Sequence, residues 1–232
     1  MGKNRLVWFI YMSILTNIVE IQEHIKHIQK KQKITAPIDI LIATKYANTV
    51  QTQAVIDANI SLIGENKLQD AELKKQKLTL KNTQYHFIGH LQSNKVNKAV
   101  SLFDYIQSVD SFKIAKKINT CCEKQNKVMP CLLQVNLENE PQKYGFTEIE
   151  LKRQLKDIFL LQNLQIDGIM VIYPLLKNKE DLRPIFKRAK DLFYFIHEQF
   201  PIKTLSMGMS HDYDVAIEEG ATMVRIGRKI LN

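Results

Sequence analysis

Cysteine is scarce: Cys121, Cys122 and Cys131 are the only three in 232 residues. Their odd number and the lack of any CxxC spacing exclude a disulfide framework and a thiolate metal site, and fit a reducing compartment such as the cytoplasm. Glycine and proline are also few, 8 and 6, and nowhere cluster into a linker, so one domain is expected. No GxGxxG follows any strand-like run, which argues against a dinucleotide site. No GxSxG elbow is present, so a hydrolase triad lacks its nucleophile. The longest apolar run, residues 6–15 behind Lys3 and Arg5, resembles a signal-peptide core. It is too short to span a bilayer and is followed by no small-x-small cleavage site. The expectation is therefore no membrane partner. Residues 1–11 read as an N-terminal extension, with residues 12–232 forming the functional domain.

What is present is charge and alternation. Thirty-three Lys and Arg against 24 Asp and Glu give a net charge of +9, but the cations are mostly lysines scattered over helix-like stretches. Without an Arg-rich block or interleaved aromatics, solvated faces explain them better than a specific nucleic-acid site. After an amphipathic helix carrying Ile18, Ile21, Ile25 and Ile28, eight short apolar, β-rich runs follow. They lie at 38–44, 60–64, 85–89, 104–109, 131–136, 166–172, 204–208 and 222–227. Helical-period segments separate them at 48–58, 66–78, 92–101, 111–125, 147–162, 179–199 and 211–219. Strict strand–helix alternation implies parallel strands joined by right-handed crossovers. Eight strands, the chain length and the missing glycine fingerprint favour a single α/β (β/α)8 TIM barrel with an extra N-terminal helix.

Chemistry in that fold belongs at the C-terminal ends of the strands. Lys45 follows the first strand, and desolvation at the mouth of the core would free its amine as a nucleophile, making it a Schiff-base candidate. Pairing with Glu65 is the alternative. The loops after the last two strands, Ser206-Met207-Gly208-Met209-Ser210 and Arg225-Ile226-Gly227-Arg228, suit a phosphate through backbone N–H groups and small hydroxyls. Ser210 could equally cap a helix beginning near His211. His86 and His90 sit about 13 Å apart on one strand face, too far to share a metal. His211-Asp212 lacks a second dyad, so no metal is expected.

These segments together resemble the pyridoxal phosphate homeostasis protein family. The resemblance rests on Lys45, Gly64-Glu-Asn66, His86-Phe-Ile-Gly-His-Leu-Gln-Ser-Asn-Lys95, Ser108-Val-Asp110, Gln134-Val-Asn136, Lys143-Tyr-Gly-Phe146, Gly168-Ile-Met170, Leu205-Ser-Met-Gly-Met-Ser210 and Val224-Arg-Ile-Gly227. It implies a barrel like the N-terminal domain of alanine racemase that binds pyridoxal 5′-phosphate (PLP). It also implies a part in intracellular vitamin B6 and amino-acid homeostasis without established turnover. Lys45 would be the aldimine lysine and Arg225 would face the pyridine nitrogen. Ser206, Met207, Gly208, Ser210, Ile226, Gly227 and Arg228 would hold the phosphate, and Asn66 and His86 would lie near the cofactor. Arg228 departs from the small hydroxyl usual there, and Thr44 replaces the common Ser. The expected partners are PLP and PLP-accepting apo-enzymes, the expected state a monomer. An arginine rather than a carboxylate opposite the ring nitrogen, and no second domain to supply another base, favour binding over the alternative of racemase-type catalysis.

Overall fold

The computed structural model describes residues 2–174 and 176–232, without the side chains of residues 2–4 and 6. Helix α1 (Gly2–Gln32) precedes eight strand–helix units. These are β1 (Asp39–Ala43), α2 (Thr49–Asp57), β2 (Leu62–Glu65), α3 (Leu68–Lys75), β3 (Gln84–Phe87), α4 (Val96–Leu102), β4 (Tyr105–Val109) and α5 (Phe112–Glu123). Then come β5 (Met129–Asn136), α6 (Glu148–Phe159), β6 (Leu164–Ile172), α7 (Arg183–His197), β7 (Thr204–Met209), α8 (Tyr213–Glu218), β8 (Met223–Ile226) and α9 (Arg228–Leu231). Each strand pairs in parallel with its sequence neighbours, and β8 returns to β1 with Leu41 opposite Arg225. The TIM barrel read from alternation is closed. The eighth strand, read as the end of the pattern, is followed by the short α9.

Local sequence sets the element ends. Asn48 and Gln51 form a reciprocal capping box that starts α2, with bonds of 2.9 and 3.0 Å. Thr147 and Glu150 do the same for α6; each box satisfies two N–H groups that a helix start leaves orphaned. Asn59 and Asn126 take positive φ just beyond α2 and α5, a conformation asparagine tolerates at helix ends.

Alternation along the strands sorts the core. Ile42, Ile63, Phe87, Ile106, Leu133 and Ile169 face outward into the large apolar annulus beneath the helices. Two small interior clusters, Leu41-Leu62-Met223 and Tyr105-Leu132-Met170, plug the barrel. Between them lie the buried polar side chains His86, Gln107, Ser206 and Arg225.

Helix α1 runs without interruption through Met12. Its Ile14, Ile18, Ile21, Ile25 and Ile28 are buried, with Ile10 and Tyr11 packed at the edge of the same cluster. The Tyr11 hydroxyl donates to Asp57 Oδ2 at 3.1 Å. We propose that residues 1–11 are dispensable for folding, because such a part-exposed bond contributes only about 1 kcal/mol. A chain beginning at Met12 should unfold cooperatively with its Tm lowered by a few degrees, roughly 2–4 °C per kcal/mol lost at this size. Absence of a cooperative transition in that chain would show the segment to be part of the core.

Candidate functional site

A cavity of about 390 Å³ opens at the C-terminal ends of the strands. Lys45 stands at its edge after β1, Ile88 after β3, and Met170 and Ile172 come from β6. Arg225 comes from β8, and Ser210, Gly227 and Arg228 close it from the last two loops. The topology therefore joins residues from both ends of the chain, because β8 is hydrogen-bonded to β1.

Lys45 is exposed, which corrects the expected desolvation: it lies one residue beyond the buried Thr44 and leans over the Tyr46 ring, 5.1 Å from the centroid. It does not pair with Glu65. That buried carboxylate accepts from Lys74 Nζ and from Thr44 Oγ1, both at 2.7 Å. The amine of Lys45 is thus left facing the cavity mouth.

Arg225 is buried in the barrel interior. Its Nη1 donates to the Ser206 carbonyl at 2.8 Å and to Ser206 Oγ at 2.9 Å, and its Nη2 donates to the Val171 carbonyl at 3.1 Å. Burial lowers its pKa, while nearby Tyr173 and Asp212 pull it back up; a guanidinium remains charged under either influence. None of these bonds uses Nε. A buried cation held by carbonyls, with no carboxylate bonded to it, leaves positive potential in the cavity.

The hydrogen bonds continue downward. Ser206 Oγ donates to Gln107 Oε1 at 3.0 Å, and Gln107 Nε2 donates to His86 Nδ1 at 3.0 Å. His86 Nε2 then donates to Gln84 Oε1 at 3.3 Å. This pattern requires a neutral imidazole protonated on Nε2, and the ring stacks on Tyr105 with centroids 4.5 Å apart. Burial pushes the His86 pKa from 6.5 down to about 3. The unfolded chain takes up this proton near pH 6.5 and the folded chain does not until about pH 3. The associated stability is full above pH 6.5 and is lost on acidification at about 1.4 kcal/mol per pH unit. Denaturant midpoints at pH 7 and pH 5 should differ more in the native chain than in His86→Gln; identical differences would refute the buried neutral imidazole.

Ser210 does not cap a helix. Helix α8 starts at Tyr213 after Asp212, and Ser210 Oγ instead accepts the Gly227 N–H at 3.1 Å, tying the last two loops together. The reason lies one residue group earlier: Gly208 turns with φ +92°, and Asp212 Oδ1 accepts the Met209 N–H at 2.8 Å and the Tyr173 hydroxyl at 2.7 Å. Gly227 passes so close to β1 that a Cβ there would sit 2.9 Å from the Ala43 carbonyl oxygen. Beyond it the intrahelical bonds of α9 begin at the Ile230 N–H, so the amides of Arg228 and Lys229 are first-turn donors. An open recess of about 640 Å³ adjoins the cavity at Ser210 and Arg228 and is flanked by Lys177, His211 and Lys229.

Six sequence-read positions lie off the cavity lining: Ser206, expected at the phosphate, is buried against Arg225 and Gln107, Gly208 serves the turn, and four more lie elsewhere. His86 is beneath the floor and reaches Arg225 only through Gln107 and Ser206. Asn66 lines a separate recess of about 280 Å³ with His90 and Lys95. Met207 and Ile226 point outward into the annulus, leaving only their backbone near the loops. Gln107, Tyr173 and Asp212 were missed as supports. An amide in the middle of a short, β-rich strand was the available signal for Gln107.

The donor set fits a ligand with an electrophilic carbon, a planar body and a dianion: an amine, a fixed guanidinium between apolar walls, and two hydroxyl- and amide-bearing loops. Residues 15–230 match the model of the alanine racemase N-terminal domain family. The pyridoxal phosphate homeostasis protein of Synechocystis sp. is 39% identical over 193 residues, covering 82% of this chain and 88% of its own. That of Pasteurella multocida is 32% identical and covers 94% and 97%. PipY of Synechococcus elongatus, solved without PLP, superposes with a TM-score of 0.85 at 30% identity, covering 94% of this chain and all of PipY. Its PLP-bound structure gives 0.83 at 29%. The chain belongs to the alanine racemase N-terminal domain family and, within it, to the pyridoxal phosphate homeostasis proteins.

Proposed function

We propose that this protein binds PLP and serves intracellular PLP and amino-acid homeostasis, a reading supported by relatives named pyridoxal phosphate homeostasis proteins. The observation that carries the reading is one cavity uniting Lys45, Arg225, Ser210, Gly227 and Arg228. Lys45 would hold PLP by offering its amine to the aldehyde at the cavity edge. Ser210, the amides of Arg228 and Lys229 and the Arg228 side chain hold the phosphate, with charge and first-turn donors acting together. Arg225 presents N–H donors toward the pyridine nitrogen. The close approach at Gly227 sets the depth of the phosphate loop, and the Asp212 bonds to Met209 and Tyr173 keep its partner loop in place.

PLP, when bound, can act as an electron sink, and that chemistry is strongest with a protonated pyridine held by a carboxylate. A permanently cationic Arg225 opposes that protonation, which supports holding over fast catalysis. The protein works in the cytoplasm as a monomer and passes PLP to apo-enzymes. Incubation of the PLP-loaded protein with L-alanine should yield no D-enantiomer at ordinary enzymatic rates of roughly 1–1,000 per second, while a PLP-requiring apo-enzyme added to it should gain activity. Turnover in that range would favour the racemase reading. Arg225→Glu tests the electronic argument alone: faster side reactions in that variant, with the covalent link retained, are the expected sign.

A further inference from the structure

The first nineteen residues contain no Asp or Glu, and residues 6–19 carry no charge at all. One face of this part of α1 packs on the barrel through Ile10, Ile14 and Ile18. A second face does not. Val7, Trp8, Phe9, Met12, Leu15 and Val19 each leave between 39% and 57% of their surface exposed. Trp8, Met12, Leu15 and Val19 follow the 4-3-4 spacing of a single helix line. Past Val19 the helix carries the exposed Glu20 and Glu23 and then the exposed Lys26 and Lys30, and Arg5 stands at the other end of the apolar line against the Phe9 ring at 6.0 Å.

The exposed apolar area is on the order of 500 Å² for these six side chains, within the range at which patches on monomers are commonly functional. A second copy is a poor occupant, because a stable dimer needs about 800 Å² from each partner and a parallel pairing would set Arg5 against Arg5. A lipid surface needs no matching area. Aromatic and aliphatic side chains on one line within the uncharged stretch 6–19, behind Lys3 and Arg5, suit an interfacial helix, and a chain of charge +9 is drawn to anionic headgroups. No described helix is long and apolar enough to cross a membrane, but a run too short to span a bilayer is long enough to lie on one. We infer that the outer face of α1 is a peripheral docking surface for anionic phospholipid bilayers, independent of the cofactor cavity.

The test uses a built-in reporter, since Trp8 is the only tryptophan in the chain. The full protein should co-sediment with vesicles of mixed phosphatidylglycerol and phosphatidylcholine, with a blue shift of the tryptophan emission. Partition should be at least about tenfold weaker on pure phosphatidylcholine and should fall on raising the salt. Leu15→Asp and Met12→Asp, each on an exposed position, should lower partition by more than about tenfold while leaving the thermal transition and PLP binding unchanged. Failure to co-sediment together with an unshifted emission would overturn the inference. So would a lipid-free dimer in sedimentation velocity that Leu15→Asp dissolves, since the face would then belong to a second copy.

Discussion

Lys45→Ala should abolish the visible absorbance band that PLP acquires on the native protein, and should weaken PLP binding by roughly 100-fold, about 2.7 kcal/mol. The expectation follows from what surrounds the amine. Glu65, the carboxylate that the sequence offered as its partner, is already held by Lys74 and Thr44 at 2.7 Å, so Lys45 is not part of that ion pair. It is exposed and touches only the Tyr46 ring among the aromatic contacts, so its removal leaves no buried partner unsatisfied. The variant should therefore keep its thermal stability within about 0.5 kcal/mol, as surface substitutions usually do. Residual affinity should remain, because Ser210, Gly227 and Arg228 are untouched and still offer the phosphate its donors. Lys229→Ala, altering a lysine of the adjoining recess, should keep the band. Equal spectra for the native chain and Lys45→Ala would contradict this assignment.

Gly227→Val should remove most of the preference for PLP over pyridoxal. The native chain should bind PLP at least about 100-fold more tightly than pyridoxal, because backbone amides and a guanidinium act on the dianion together. At residue 227 a Cβ would lie 2.9 Å from the Ala43 carbonyl oxygen, which is backbone and cannot rotate away. The loop must then lift from β1, stretching the 3.1 Å bond from the Gly227 N–H to Ser210 Oγ and displacing the first turn of α9. Overpacking of this kind costs about 1–3 kcal/mol, which the barrel should survive. Ser210→Ala should give a smaller loss, since it removes one hydroxyl without moving Gly227. Isothermal titration with both ligands reads the outcome; equal affinities for pyridoxal and PLP in the native chain would refute the phosphate assignment.

The barrel was legible because eight strands buried on both faces read as short apolar runs, and alternation with helices leaves parallel pairing as the solution. Closure came from the count, and the Leu41–Arg225 pairing across β1 and β8 is its physical expression. Lys45, Arg225 and Gly227 were legible because the fold places strand ends at the site. Local rules failed where the answer depended on register across the barrel. Gln107 meets His86 and Ser206 across 21 and 99 residues, a relation no local pattern carries. Ser210 was open to a capping role until the turn at Gly208 and the Asp212 bond to Met209 moved the start of α8 to Tyr213. Asn66 was placed by its position after β2, but its side chain belongs to the recess beside His90.

The lysine at the end of β1 is proposed to take PLP covalently while the last two loops hold its phosphate. Borohydride reduction of the PLP-loaded native protein, followed by peptide mapping by mass spectrometry, tests it most directly. One reduced adduct is expected, on the peptide containing Lys45, formed at one equivalent per chain. An adduct on Lys177, Lys229 or any other lysine in place of Lys45, or no adduct at all from protein that retains stoichiometric PLP, would contradict it.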